Sequence, residues 1–412
     1  MLNLKIKYLS IIATPLLLLS GCNQDSSSSA GDGYNQNKDT NTEFNQLDMI
    51  THLTDNVITP TFENFLNQAQ LQATSVAQYC SAEKAFTNQE IEQQALISAL
   101  ESAKSQWRAT MSVWQQAELM LLGPLKEDDG ALRNRIYSWP TINSCGVDYD
   151  VVYFLDGTVN GKPYDISLRT PSRKGLAALD YLLFNNNLSH SCEVSAAPPN
   201  WENLTTAERK VARCNFANEV AEDISNNAAN LLESWLAEDG YANKLKQAGT
   251  IDSEFTTEHE AVNSISDGMF YLDSSTKDGK LAEPLGLIAN ECGAQACPEA
   301  VESKYSANSF ANILNNLIGF EKLLTGNDGK GFVEYLIDVG DKETANAMTN
   351  DVSNAISVIN TYEESLAQAL VNNPDRVEQT HAEVKKVTDK LKTDFINSLA
   401  LELPKTSAGD ND

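Results

Sequence analysis

Gly175-Leu176-Ala177-Ala178-Leu179-Asp180-Tyr181-Leu182-Leu183 is the stretch from which the rest of the chain is read. Positions 176, 179, 180 and 183 fall on one helical face, so Asp180 points the same way as Leu176, Leu179 and Leu183. An acid on such a stripe needs a partner, because burying a carboxylate is costly unless it is paired or hydrogen-bonded. Pro171 suits the first turn of this helix.

Working outward, apolar residues from Leu47 onward recur with a spacing near 3.6 rather than 2, and the stretches between breakers are helix-length. The fold class is therefore all-α. The sequence predicts a helix from about Asp48 to Ala77 that Pro60 kinks or splits. A second opens on a capping box at Thr87-Asn88-Gln89-Glu90 and ends at Gly123-Pro124. Residues 126–170, with scattered Gly and Pro and the β-prone Val151-Val152-Tyr153-Phe154, read as a long irregular loop with a short hairpin. Thr205-Thr206-Ala207-Glu208 opens a helix to about Glu238, and further helices fit Ser253 to Asp273, Ala300 to Leu324, Lys342 to Asn372 and Asp375 to Leu401. Asp273 to Glu283 reads as a solvated inter-helix loop, since the calcium-loop order of ligands is not met.

The ends of the chain carry different signals. Lys5 and Lys7, an apolar run from Leu9 to Leu19 and Leu19-Ser20-Gly21-Cys22 read as an export signal over 1–22, with a small residue ahead of a cysteine as in a bacterial lipobox. Cys22 is the expected lipidation site, and Asn23 after it favours the outer membrane with the body in the periplasm. Residues 23–46 form a polar tether and 403–412 a disordered tail. The roughly 365 residues between exceed one usual core, so two antiparallel bundles placed end to end are expected, 47–245 and 246–402, with the irregular loop in the first.

The 412 residues carry 30 basic and 57 acidic side chains, a net charge of −27. Without Lys5 and Lys7 the count is 30 − 2 = 28 basic residues against 57, or −29. Nucleic acid is thereby excluded as a partner, and a cationic ligand would be drawn in, although a merely well-solvated surface explains the charge as well. Beyond Cys22, the six cysteines Cys80, Cys145, Cys192, Cys214, Cys292 and Cys297 predict disulfides in an exported protein. Short separations favour Cys292 with Cys297 and Cys192 with Cys214, leaving Cys80 with Cys145.

Trp107, Met111, Trp114 and Glu118 form another stripe that an acid interrupts. Glu118 and Asp180, with Trp107, Trp114, Tyr181 and the nearby Arg135 and Arg173, are candidates for the floor of a cleft holding a cation or small polar ligand. Ser306 and Ser309 would add hydroxyls from the second bundle. Glu118 and Asp180 are also the candidate metal ligands, for iron or another divalent ion. Against this stands a structural reading, in which Arg108, Arg133, Arg135, Arg169 or Arg173, or helix-end amides, tie the acids down simply to orient the bundle. His52, His190, His259 and His381 are isolated, and no Gly-x-Ser-x-Gly or His-Glu-x-x-His motif is present.

The signature stretch resembles that of the imelysin family of peptidase-like and iron-regulated bacterial lipoproteins, Gly-x-His-x-x-Glu followed by Tyr-Leu-Leu. Gly175 and Tyr181-Leu182-Leu183 match, whereas Ala177 stands for the family's His and Asp180 for its Glu. Trp107, Trp114, Glu118, Gly123-Pro124, Trp139-Pro140, Cys145, Lys280 to Gly286, Glu302, Tyr305-Ser306, Ser309 and Asn316-Leu317 extend the resemblance over roughly 47–400. It implies a lipid-anchored binding or accessory protein linked to iron or other metal acquisition. An alanine methyl neither binds metal nor moves a proton, so a non-catalytic role is expected. The alternatives are a divergent metal-dependent peptidase or hydrolase and a structural protein with an envelope partner; the ligand would be a metal ion, a small molecule or a peptide.

Overall fold

The computed structural model describes residues 29–30 and 44–404. The expected signal with Cys22, most of the tether (23–28 and 31–43) and all but two residues of the tail lie outside the described residues. The helices are α1 (Gln46–Leu53), α2 (Thr59–Thr87), α3 (Gln93–Ala117), α4 (Glu127–Ile136), α5 (Ser144–Asp156), α6 (Gly175–Phe184), α7 (Thr206–Leu236), α8 (Tyr241–Lys246), α9 (Glu258–Met269), α10 (Glu283–Leu285), α11 (Ser309–Thr325), α12 (Phe332–Asp338), α13 (Lys342–Ile359), α14 (Leu366–Asn372), α15 (Pro374–Lys390) and α16 (Ile396–Leu399). The protein is all-α, as its periodicity predicts. No helix among the described residues is long and apolar enough to cross a membrane.

Burial of apolar stripes explains the packing. α2 lies along α3 and α7, with Phe62, Phe65, Ala69 and Val76 buried, while α6 packs against α3 and α7. On the C-terminal side α11 packs on α13, and α13 on α15. α11 also lies along α3. That contact is close because residue 319 is glycine: a Cβ there would sit 2.7 Å from the Gln116 carbonyl oxygen.

Several local expectations are corrected. The helical run expected from Asp48 is divided ahead of Pro60, as expected, but it continues to Thr87. The break is a π-helical segment, Thr54–Ile58, that joins α1 to α2 with helical backbone throughout and ends just before Pro60, whose missing N–H interrupts the regular α ladder there. The Thr87 capping box does not form, because Thr87 closes α2 and its hydroxyl donates to the Glu83 carbonyl at 2.9 Å; Gln89, with φ +61°, turns the chain toward α3. The supposed loop over 126–170 is largely helical. Asn143 caps α5 by accepting from the Gly146 N–H at 2.8 Å, Gly157 ends it at φ +69°, and burial of Val151 and Val152 outweighs their β preference. The hairpin expected in that region does form, pairing Thr158–Val159 with Lys162–Pro163.

Pro171 starts a separate 3-10 turn, Pro171–Arg173, ahead of α6. The helix expected from Ala300 starts only at Ser309, since Ser303 and Ala307 have positive φ. The helix expected over Lys342 to Asn372 breaks in two, and a Ser365–Gln368 capping box starts the second piece. Asp273 to Ala282 is not a solvated loop but part of a π-helical segment, Leu272–Ala282, whose Asp273, Thr276, Lys277 and Lys280 are buried.

Disulfides join Cys80 to Cys214, Cys145 to Cys192 and Cys292 to Cys297. Only the last pairing is as expected. The side-by-side packing of α2 and α7 brings the Cα atoms of Cys80 and Cys214 to 5.1 Å, and the chain after α6 returns over the first turn of α5, with Cys145 and Cys192 at 4.6 Å. Helix packing, rather than proximity along the chain, therefore selects the partners.

Candidate functional site

Signature helix α6 is interior on all sides, with every residue from Gly175 to Phe184 buried. Gly175 explains how it gets there. Its φ is +77°, and a Cβ would lie 2.6 Å from the Ile136 carbonyl oxygen and 2.9 Å from that of Arg135. Only glycine lets the start of α6 press onto the end of α4 in this conformation.

From α6, Ala177 and Asp180 face a cleft of about 340 Å³. Its aromatic wall is Tyr137, Trp139 and Tyr305, and Glu283, Glu291 and Glu299 join Asp180 as its carboxylates. Lys304 is the one cation in the lining. Asp180 is 4% exposed and accepts from two backbone N–H groups, Ser306 at 2.9 Å and Tyr305 at 3.4 Å. Burial pushes its carboxyl up from 3.8 to about 6, against the pull of those hydrogen bonds; the charge of Glu302 adds to the rise. No arginine pairs with it among the described residues. The cleft thus combines an excess of negative charge with π-faces, an environment that attracts cations.

Behind this wall lies a buried network of charged side chains. The Lys280 ammonium, fully buried, donates to Gln115 Oε1 and to Asn316 Oδ1 at 2.8 Å, and forms ion pairs with Glu302 Oε1 at 3.1 Å and Glu118 Oε2 at 3.6 Å. Glu118 accepts from the Tyr271 hydroxyl at 2.7 Å and lies 3.6 Å from Arg133. Burial raises the Glu118 carboxyl, opposed by Lys280 and Arg133. In this cluster the two carboxylates of Glu118 and Glu302 are set against the two cations Lys280 and Arg133, the compensation that buried charges require. Tyr137 connects it to the cleft, because the ring lines the cleft while the hydroxyl donates to Glu302 Oε1 at 2.6 Å.

The structure therefore separates the candidates. Asp180, Ala177 and the Ser306 N–H meet at the cleft. Glu118 is enclosed in the network. Trp107 donates its indole N–H to the Leu176 carbonyl at 3.1 Å, and Trp114 packs on Phe65; both are core. Arg135 donates to Asn227 and Arg173 pairs with Asp150 at 3.5 Å. Tyr181 donates to Asp148 and accepts from Arg213 at 2.9 Å. Ser309 holds the Glu302 carbonyl.

Iron or another divalent ion does not suit the pair Glu118 and Asp180. Glu118 is held among Tyr271, Lys280 and Arg133 and is not part of the cleft lining, whereas Asp180 is, so the two carboxylates do not share one site. Among the described residues no three His, Cys, Asp or Glu are grouped to hold a metal ion. Trp139, Tyr137, Tyr271 and the acids Glu283, Glu291 and Glu299 carry no stripe pattern that marks them as site residues. A signal for some of them was available: Trp139-Pro140, Lys280 to Gly286 and Glu302 all lie in the segments that carry the imelysin resemblance.

Comparison with known proteins places this architecture. The imelysin family model matches residues 58–393. Iron-regulated protein A of Synechococcus elongatus is 26% identical over 237 residues, 56% of this chain and 54% of that protein, so the match spans about half of the relative's length. The crystal structure of an iron-regulated protein A precursor from Parabacteroides distasonis superposes with a TM-score of 0.64 at 17% identity, covering 85% of this chain and 95% of that one. An imelysin-like protein from Psychrobacter arcticum gives 0.60 at 15% identity, covering 88% and 98%. Both likenesses concern the fold. Because the family model extends over most of the sequence, the chain belongs to the imelysin family.

Proposed function

We propose that this chain is a non-catalytic, imelysin-like binding protein that captures a positively charged organic ligand, such as a lysine or arginine side chain of a peptide, in the cleft beside α6. The observation that carries this is the composition of the lining, four carboxylates and three aromatic rings against one lysine. An ammonium or guanidinium would sit against Trp139, Tyr137 or Tyr305 and neutralise Asp180 and its neighbours, with the small Ala177 side chain leaving room beside α6.

The names of its relatives support an iron-linked role, in which the protein assists iron acquisition through such a ligand rather than holding a resident ion. Delivery to the outer membrane through Cys22, with the polar tether presenting the body to the periplasm and to an envelope partner, completes the reading.

Titration calorimetry with a Lys-Lys-containing tripeptide tests it. Binding is expected to weaken as salt rises and to fall about tenfold in Asp180→Asn and in Glu291→Gln combined with Glu299→Gln. No heat from cationic peptides, or equal heat from acidic ones, overturns the proposal.

One observation favours a hydrolase as a second reading. A cleft carboxyl raised to about 6 is poised for proton transfer near neutral pH. Turnover of a peptide library that vanishes in Asp180→Asn, with binding retained, would decide for it.

A further inference from the structure

A second pocket, of about 220 Å³, lies where the π-helical segment Thr54–Ile58, the start of α2, the end of α3 and the end of α11 meet. We infer that it binds a small oxyanion, a phosphate or sulfate group that is free or esterified to a small alcohol. The pocket shares no lining residue with the acidic cleft.

Lys322 is the only ionisable residue in its lining, and the carboxamides of Asn56, Asn64, Gln116 and Asn327 accompany it. The close approach at Gly319 sets the end of α11 against α3, where the half-buried Lys322 donates to Gln116 Oε1 at 2.8 Å. No acid pairs with this ammonium among the described residues, although the chain carries 57 acidic side chains for 30 basic ones. Burial lowers Lys322 below the ordinary lysine value, and no carboxylate opposes that shift.

The amides add donors to this cation. Gln116 is engaged, its Nε2 donating to Asn315 Oδ1 at 2.8 Å, and Asn56 donates to the His52 carbonyl at 3.3 Å. Asn64 and Asn327 donate from their side chains to no protein group among the described residues. An ammonium carries three N–H donors and a carboxamide two, so most of these remain for a ligand to take from water. A surplus of donors around one unopposed cation fits an anion with several acceptor oxygens. A cationic ligand would meet like charge, and a neutral one would leave the ammonium without a counter-charge. The space is about seven water volumes, which leaves room for a short esterified group beside Val57, Pro60 and Val113.

Titration calorimetry of the whole chain with inorganic phosphate, sulfate and glycerol 3-phosphate tests the assignment. At least one should bind with a dissociation constant of about 1 mM or tighter, and glycerol should not bind. Tighter binding of glycerol 3-phosphate than of phosphate assigns an esterified ligand, and the reverse order assigns the free ion. Lys322→Met should weaken binding at least about tenfold. Asn327→Asp, at an exposed position whose positive φ aspartate tolerates, sets a carboxylate beside Lys322 and should weaken binding as much without changing the urea midpoint. Asp180→Asn should leave phosphate binding unchanged while impairing capture of the cationic tripeptide, which keeps the two sites distinguishable. Absence of binding by all three anions at about 10 mM overturns the inference. So does binding that Lys322→Met leaves unchanged, which would mark an adventitious ion only.

Discussion

Replacing Asp180 by Asn reverses its effect on stability across the acid range. The folded carboxyl titrates at about 6, against an ordinary value of 3.8. Because the folded value is the higher one, the native state holds the proton more tightly than the unfolded chain. The stabilisation this provides is complete below 3.8, declines as pH rises, and is gone above about 6. The gap between the two values corresponds to about 3 kcal/mol, the cost of keeping the carboxylate ionised in its buried place. Asparagine removes that cost but keeps a single oxygen for the two N–H groups of Tyr305 and Ser306, a loss of about 1 kcal/mol. Asp180→Asn should therefore stabilise the protein by about 2 kcal/mol at pH 7.5 and destabilise it by about 1 kcal/mol below pH 4. Urea unfolding of both proteins across this range gives the difference directly. A difference that does not change with pH would refute the argument, because it would mean that Asp180 titrates alike in the folded and unfolded states.

Other perturbations probe the scaffold beneath the cleft. Lys280→Met leaves Glu118 and Glu302 buried with Arg133 as their remaining cation, and should cost about 3 to 5 kcal/mol in urea unfolding. Gly175→Ala combines a positive φ with overlap onto the α4 carbonyls and should destabilise by about 3 kcal/mol or more, measured the same way. Peptide mapping under non-reducing conditions should recover Cys80 linked to Cys214 and Cys145 linked to Cys192. Opening the first, which closes a separation of 134 residues, should cost about 5 kcal/mol in Cys80→Ser with Cys214→Ser.

The all-α class was legible because helical spacing is a local property, and most helices follow it. What failed involved distant groups. Val151 and Val152 read as β-prone until the burial of α5 is known, and Thr87 reads as a cap until α2 is seen to run through it. Disulfide pairing depends on α2 meeting α7, which no spacing along the chain encodes. At the site, the stripe pattern correctly marked Glu118 and Asp180 as buried acids. It could not tell that one meets Lys280 in the buried interior and the other meets amides at a cleft. Glu283, Glu291 and Glu299 look like any solvated acids in sequence; the fold of the 283–305 segment gathers them opposite α6.

The most direct test of the central claim is a crystal structure of the protein with the Lys-Lys tripeptide bound. The account predicts a lysine ammonium in the cleft, within hydrogen-bonding reach of Asp180 and against the ring of Trp139, Tyr137 or Tyr305. A peptide seated elsewhere on the surface, with the cleft holding only water at saturating concentration, would contradict it.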